Sequence, residues 1–369
     1  VNNVELGLRL TQARDEAGLT QAQVARTIGV DRSAISRLEK GERNLNAREL
    51  VVIAEALGRP LSYFVSEAPP AVVSRRRDAG ETHPSTTQLD AELLQFSTDV
   101  FFLADLRLLV PATRPAGRRT PHDHMAAESL ASRIRRHLDL GSSPITDLGD
   151  TCERLGLLVH VTSLGVDGAP GACVEVETPA GPFGVAVVNA DDDSGRRRMT
   201  LAHELGHWLC GDAYDASGSL HDERMLNSFA IHLLAPRAGV VALWNELAPR
   251  SHRERAIDVA ARYMVSWTAV LGHLKTLDLI DEEDRRQLAD RPPTKGDYLH
   301  RNIRWHEHLQ LGYLSPSFVD ACLSGYSARR LTAARTTELL RGTVTRADLP
   351  EQEAPEWSDL RPSFTGHGG

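Results

Sequence analysis

No run in the sequence approaches 18 consecutive apolar residues, and the start, Val-Asn-Asn-Val-Glu, has no basic stretch followed by an apolar one. A membrane span and an ordinary secretion signal are both disfavoured on those grounds. Cysteine is scarce: Cys152, Cys173, Cys210 and Cys322 lie far apart with no C-x-x-C spacing. That argues against a disulfide framework and against a Cys-rich zinc site, and it reads as a reducing, cytoplasmic setting. Nor is there an excess of positive charge. With a formal net charge of −8, the chain does not coat nucleic acid by bulk electrostatics, and any DNA-binding face must be local to one module. Repeats at solenoid periods are also missing. What is present is ordinary: 41% hydrophobic and 25% charged residues over 369 positions fit two or three globular modules rather than one fold.

Residues 4–65 read as short helices with strong start signals. Thr20 with Gln23 forms a T-x-x-Q capping box, Gly29 supplies a tight turn, and Asp31 caps the next helix. Val24, Ala25, Ile28, Ile35 and Leu38 recur at helical spacing, and Asn46 with Glu49 opens a further helix that Gly58 and Pro60 stop. From 66 to 90, Pro69, Pro70, the arginines at 75–77, Gly80 and Pro84 mark a linker, followed by one helix over 90–109 and a second break between 111 and 121. Helices carrying Leu130, Ile134 and Leu138 and then spanning 145–155 lead into three β-prone runs at 157–164, 171–177 and 183–190. Their short connections predict an antiparallel meander. Helices follow at 194–209, 223–234, 253–275 and 282–289, residues 297–342 are helical again, and a tail from about 345 has a disordered composition.

The fold class is therefore mostly α with an α+β centre. The expected division is a five-helix module at 1–66, a linker with one helix at 67–121, a mixed module with a small antiparallel sheet at 122–290, a helical region at 291–345 and a tail at 346–369.

The strongest chemical signal is H-E-L-G-H at 203–207. On a helix, positions i and i+4 share a face, so His203 and His207 converge on one Zn²⁺ while Glu204 projects beside them as a base for the water that the metal acidifies. Met199, Ala202, Leu205, Trp208 and Leu209 give this helix a surface that buries it, and two unliganded histidines there would be costly unless hydrogen-bonded. A third ligand is still needed. The extended spacing H-E-x-x-H-x-x-G-x-x-H fails, because Cys210 and Ala213 stand where it requires Gly and His. The downstream candidates are Asp212, Asp215, His221, Asp222, Glu223 and His232. If Asp222 caps a helix, Glu223 shares a face with Leu226, Ala230 and Leu233, whereas His232 lies about half a turn away, so Glu223 is the better placed. Asn227 is a candidate to orient a ligand, against a buried Asn bonded to backbone; Cys210 reads foremost as a small buried thiol.

The pattern H-E-L-G-H followed by E-R-x-x-N-S-F-A-x-x-L-L-A-P resembles the ImmA/IrrE metallopeptidases over about 125–280. Glu223, Asn227, Phe229, Ala230, Leu233, Leu234 and Pro236 carry the second motif, with Leu226 where Ala is usual. The resemblance implies a zincin-like domain, a gluzincin-type site with Glu223 as third ligand, and cleavage of a helix-turn-helix repressor that controls stress or mobile-element genes. As zincins hold substrate as an added strand, the run at 183–188 is the expected platform. The N-terminal segment, through L-T-Q-A-Q-V-A at 19–25, Gly29-Val30 and I-S-R-L-E-K-G at 35–41, resembles the XRE, lambda-repressor-like helix-turn-helix family. That resemblance places Gln21 near a phosphate, Arg32, Ser33, Ser36 and Arg37 toward the major groove, and Lys40 and Arg43 on the backbone of a double-stranded operator. Nine basic against eight acidic side chains in residues 1–65 make single-domain affinity weak, so a homodimer is expected.

Together these readings give a cytoplasmic DNA-binding regulator, with no membrane partner, whose zinc endopeptidase domain cleaves a repressor in trans or its own linker. The alternative is a transcription factor whose metallopeptidase-like domain is a non-proteolytic sensor or partner-binding module.

Overall fold

The computed structural model describes residues 3–57, 61, 64, 72–73, 84–115, 119–211, 220–300 and 309–352. The first module holds α1 (Asn3–Glu16), α2 (Gln21–Ile28), α3 (Arg32–Glu39) and α4 (Ala47–Ala56). Its helix starts form as the sequence dictates. Thr20 and Gln23 close a capping box, Asp31 accepts from Ala34 N, Asn46 and Glu49 close a second box, and Gly29 turns the chain at φ 73°. Leu10, Ala13, Val24, Ala25, Ile35, Leu38, Ile53, Ala54, Leu57 and Phe64 fill the core. A fifth helix is expected in this module; beyond α4, within residues 58–66, only Leu61 and Phe64 are described, both helical.

The rest is built on a sheet ordered β1-β3-β4-β2, from β1 (Val72–Val73), β2 (Leu157–Thr162), β3 (Gly171–Thr178) and β4 (Gly181–Asn189). The expected antiparallel meander is corrected here. β3 and β4 form an antiparallel hairpin, but β4 also pairs in parallel with β2, so the sheet is mixed. Strand directions still alternate along the chain; the difference is that β4 inserts between β3 and β2. The long strands are buried nearly throughout, as strands covered on both faces must be.

One face carries Leu157, Val159, Val161, Cys173, Ala186 and Val188. Against it pack residues of α6 (His124–His137), α7 (Leu148–Arg154), α8 (Ser194–Cys210) and α9 (Leu220–Leu234), with α10 (Arg237–Glu246), α11 (His252–Tyr263), α12 (Trp267–Thr276) and α13 (Glu282–Ala289) behind. The run expected as one helix over 253–275 divides because Met264 is left-handed at φ 54° and Ser266 caps a new start on Ala269 N. A short α14 (Lys295–His300) follows.

The opposite face carries Leu158, Val174, Val176, Phe183, Val185 and Val187. It is covered by α5 (Pro84–Asp105), α15 (Pro316–Ser327) and α16 (Ala333–Leu339). The helix expected in the linker and the helices of the C-terminal region thus share one core with the sheet. Asp99 of α5 joins them through Arg335 and Arg341, each at 3.0 Å. Among the described residues no single helix is long and apolar enough to cross a membrane. The arginines at 75–77 lie outside the described residues, as does the expected tail at 346–369 from 353 on; the start of that tail is ordered, with a 3₁₀ turn at Arg346–Asp348.

Candidate metal centre

α8 starts at an Asp193 cap and ends at Gly211, φ 71°. Its position is set by close approach on two sides. Trp208 lies over Gly184 of β4, where a Cβ would sit 2.7 Å from the indole, and its Nε1 donates to Leu155 O at 2.8 Å. Gly206 faces α9, where a Cβ would meet Leu226 and Phe229 at 3.0 Å. Two helices at that separation place the side chains of 203, 207 and 223 in one small volume.

His203 Nε2 lies 3.0 Å from His207 Nε2 and 3.1 Å from Glu223 Oε2, and His207 Nε2 lies 3.4 Å from Glu223 Oε1. Ligands about 2.0–2.1 Å from a tetrahedral zinc are separated by about 3.3 Å, which these spacings bracket. Among the described residues this is the one group of three His, Cys, Asp or Glu side chains close enough to share an ion. His203 is 1% exposed. Its Nδ1 lies 2.9 Å from Asn227 Oδ1, which can only accept, so the proton belongs on Nδ1 and the Nε2 lone pair faces His207 and Glu223. Two imidazole nitrogens and a carboxylate at such distances repel unless a proton or a cation lies among them. Burial pushes the Glu223 carboxyl up, but where a proton rather than a cation lies among the three groups, hydrogen bonds donated by His203 and His207 outweigh it and hold the group well below the ordinary carboxylate range. The donor set, two nitrogens and one oxygen, suits Zn²⁺ with one coordination position left over.

Glu204 is 2% exposed and its Oε1 is buried without a hydrogen-bond partner. A buried carboxylate oxygen in that condition is costly for stability alone, and such groups cluster where a proton has to be taken up. The backbone carbonyl of Glu204 accepts from Cys173 Sγ of β3 at 3.4 Å. No local pattern announces that contact, which joins residues 31 apart.

The other candidates are elsewhere. His232 packs ring to ring with His273 at 4.7 Å and lies 4.0 Å from Glu128. His221 Nε2 donates to His122 O at 2.9 Å, and Cys210 packs against the core. Asp212 and Asp215 lie outside the described residues. The expected platform at 183–188 is corrected: β4 is paired on both sides, so it has no free edge for an added strand.

In the first module, α3 turns Ala34, Ile35 and Leu38 inward, leaving Arg32, Ser33 and Arg37 exposed and Ser36 half-buried; Lys40 is exposed at the helix end. Gln21 and Arg43 are engaged within the module. Gln21 Nε2 donates to Glu39 at 2.6 Å and Arg43 pairs with Glu49 at 2.6 Å.

Two family models match parts of the chain. Residues 10–64 match the helix-turn-helix family model, and residues 152–275 match the family model of the IrrE N-terminal-like domain. The chain thus carries a helix-turn-helix transcriptional-regulator domain fused to an IrrE/ImmA-like, metallopeptidase-like domain. It is 37% identical over 65 residues to an uncharacterized transcriptional regulator in the ATPase CF(0) region of Rhodospirillum rubrum. That match takes in 18% of this chain and spans 60% of the relative's length. Two solved structures align weakly. They are PlcR of Bacillus thuringiensis in complex with the peptide PapR7 and DNA (TM-score 0.18, 10% identity, 92% of each chain) and ComR from Streptococcus suis (TM-score 0.17, 12% identity, 93% of this chain and 94% of that one). Likeness at that level carries no weight for fold or function.

Proposed function

We propose that this protein is a DNA-binding transcriptional regulator whose IrrE/ImmA-like domain is a zinc-dependent endopeptidase. Its substrate is a repressor-type protein, cleaved in trans or within the same chain, in a stress or mobile-element response. The observation that carries the reading is the convergence of His203, His207 and Glu223, with the buried Oε1 of Glu204, which has no hydrogen-bond partner, one residue from His203.

His203, His207 and Glu223 would hold the ion, and when bound it supplies Lewis-acid polarisation of a carbonyl and acidification of water. Glu204 accepts the proton of the attacking water and returns it to the departing amine nitrogen, so that the peptide C–N bond breaks without expelling an anion. Asn227 keeps His203 in the tautomer that presents Nε2. Arg32, Ser33, Ser36 and Arg37 of α3 read the major groove of double-stranded DNA, with Lys40 on the phosphates, and a homodimer supplies the affinity that one nearly neutral module lacks.

The decisive comparison uses two variants. His203→Ala should lose zinc, whereas Glu204→Gln should keep stoichiometric zinc and lose cleavage of helix-turn-helix repressors encoded nearby, scored by mass spectrometry of fragments. Cleavage that survives Glu204→Gln, or purified protein with no divalent metal, refutes the endopeptidase. Regulated transcription that survives Glu204→Gln favours a non-proteolytic sensor.

A further inference from the structure

The two outer edges of the sheet are treated differently. Along β2, Val161 donates to Tyr313 O and accepts from Gly312 N, both at 2.9 Å. Ser315 N reaches Val159 O at 3.0 Å, and Ser315 Oγ accepts from Val159 N at 2.8 Å. That edge is sealed by the chain's own C-terminal region, and β4 is interior. Strand addition is therefore left to β3, whose outer side is paired, among the described residues, only through Val72↔Glu175 and Val73↔Val174.

This edge borders the candidate metal centre. Cys173, the residue next to Val174, is the one whose Sγ touches the Glu204 carbonyl. At Gly171 the strand comes so near α8 that a Cβ would lie 2.9 Å from Thr200. An extended peptide laid on β3 would run beside the helix that carries His203 and Glu204.

We propose that Val72–Val73 is an intramolecular strand held on the edge where an extended peptide enters, so that this segment must leave β3 before such a peptide can pair along it. The proposal rests on the endopeptidase reading and specifies its regulation. The two valines lie between α4, in the DNA-binding module, and α5, which packs on the sheet. One connecting segment thus links the module that meets DNA to the edge that meets peptide. β-Branched residues favour the extended backbone required. Two residues of ladder against the eight of β3 hold the edge without locking it, because a longer peptide forms more main-chain bonds than it displaces.

The test compares the full-length, zinc-loaded protein with the double variant Val72→Pro, Val73→Pro, in which neither residue can donate to the ladder. Hydrogen–deuterium exchange is followed over 171–178, with β2, sealed from the other side, as internal reference. Loss of the one ladder bond that these two adjacent residues donate, together with the displacement the proline rings impose, should speed exchange at the β3 edge roughly tenfold and lower KM for β-casein, an unfolded probe, by a similar factor. kcat, zinc content and β2 exchange should hold. Unchanged β3 exchange, or an unchanged KM despite faster exchange, overturns the proposal. Faster exchange with equal zinc and no casein cleavage by either protein upholds the occupancy and counts against the endopeptidase reading.

Discussion

Replacing Asn227 by Ala removes the acceptor that fixes the tautomer of His203. The bond it deletes is 2.9 Å long and ends on an imidazole that is 1% exposed. Leaving such a donor without a partner costs about 1–3 kcal/mol, and partners of metal-ligating histidines typically affect metal affinity by about 10–100-fold. Asn227 itself faces solvent, so water can take part of its place, and the loss belongs at the lower end. About 1.4 kcal/mol, or tenfold in zinc Kd, is expected. The mechanism adds a second requirement. Without the acceptor, the imidazole populates the form protonated on Nε2, whose lone pair is no longer available, so Asn227→Asp, which keeps an acceptor, should restore affinity. The assay is competition for zinc with a chelator of known affinity, with thermal unfolding of the metal-free proteins as control. A zinc Kd within twofold of wild type for Asn227→Ala, or an equal loss in Asn227→Asp, would refute the assignment.

Three further outcomes follow from other parts of the molecule. Gly184→Ala places a methyl 2.7 Å from the Trp208 ring and 2.9 Å from Leu157 Cδ1; a loss of about 1–3 kcal/mol in urea unfolding is expected, with lowered zinc affinity because α8 must shift. Burial pushes His160 and His273 down to about 3 and His232 to about 4, from an ordinary 6.5. Because the folded state disfavours their charged forms, their contribution is fully present above pH 6.5 and is lost as pH falls toward 4, by up to about 1.4 kcal/mol per pH unit for each group; a urea midpoint flat between pH 7 and 4.5 would contradict this. In DNA binding followed by fluorescence anisotropy, Arg32→Ala and Arg37→Ala should each cost about 1–3 kcal/mol, while Arg43→Ala, already paired with Glu49, should stay within twofold; equal losses at all three would show that the exposed face of α3 has no special part.

How much of this was legible follows from the range of the signals. Thr20 with Gln23 and Asn46 with Glu49 are capping boxes three residues long, and the structure forms both. His203 with His207, and Glu223 with Asn227, are each i, i+4 pairs on a single helix, so the periodicity of that helix suffices to align them. The break at Met264 carries no glycine or proline to mark it within a long apolar pattern, and Ser266, which caps the next helix, is its local sign. Strand order was beyond reach. Leu157, Val159 and Val161 serve one core while Leu158 serves the other, and burial on both faces says nothing about which strand lies alongside β2. The sealing of β2 by residues 312–315 is a contact over some 150 residues, and no periodicity encodes it.

The glycine inside H-E-L-G-H shows why a motif and a site are different things. The spacing of His203 and His207 gives two ligands from one helix, but the third comes from α9, and its reach depends on how near that helix can lie. At Gly206 a Cβ would already be 3.0 Å from both Leu226 and Phe229, so a larger side chain there would push the helices apart. Glu223 and Leu226 are three residues apart on α9, so a displacement felt at Leu226 is carried almost directly to the carboxylate. The observed His–Glu spacings of 3.1 and 3.4 Å tolerate little of it before the ligands no longer fit one ion. Gly206 touches no metal, yet the coordination depends on its having no side chain, and the same holds at Gly184, which lets Trp208 settle on the sheet from the other side.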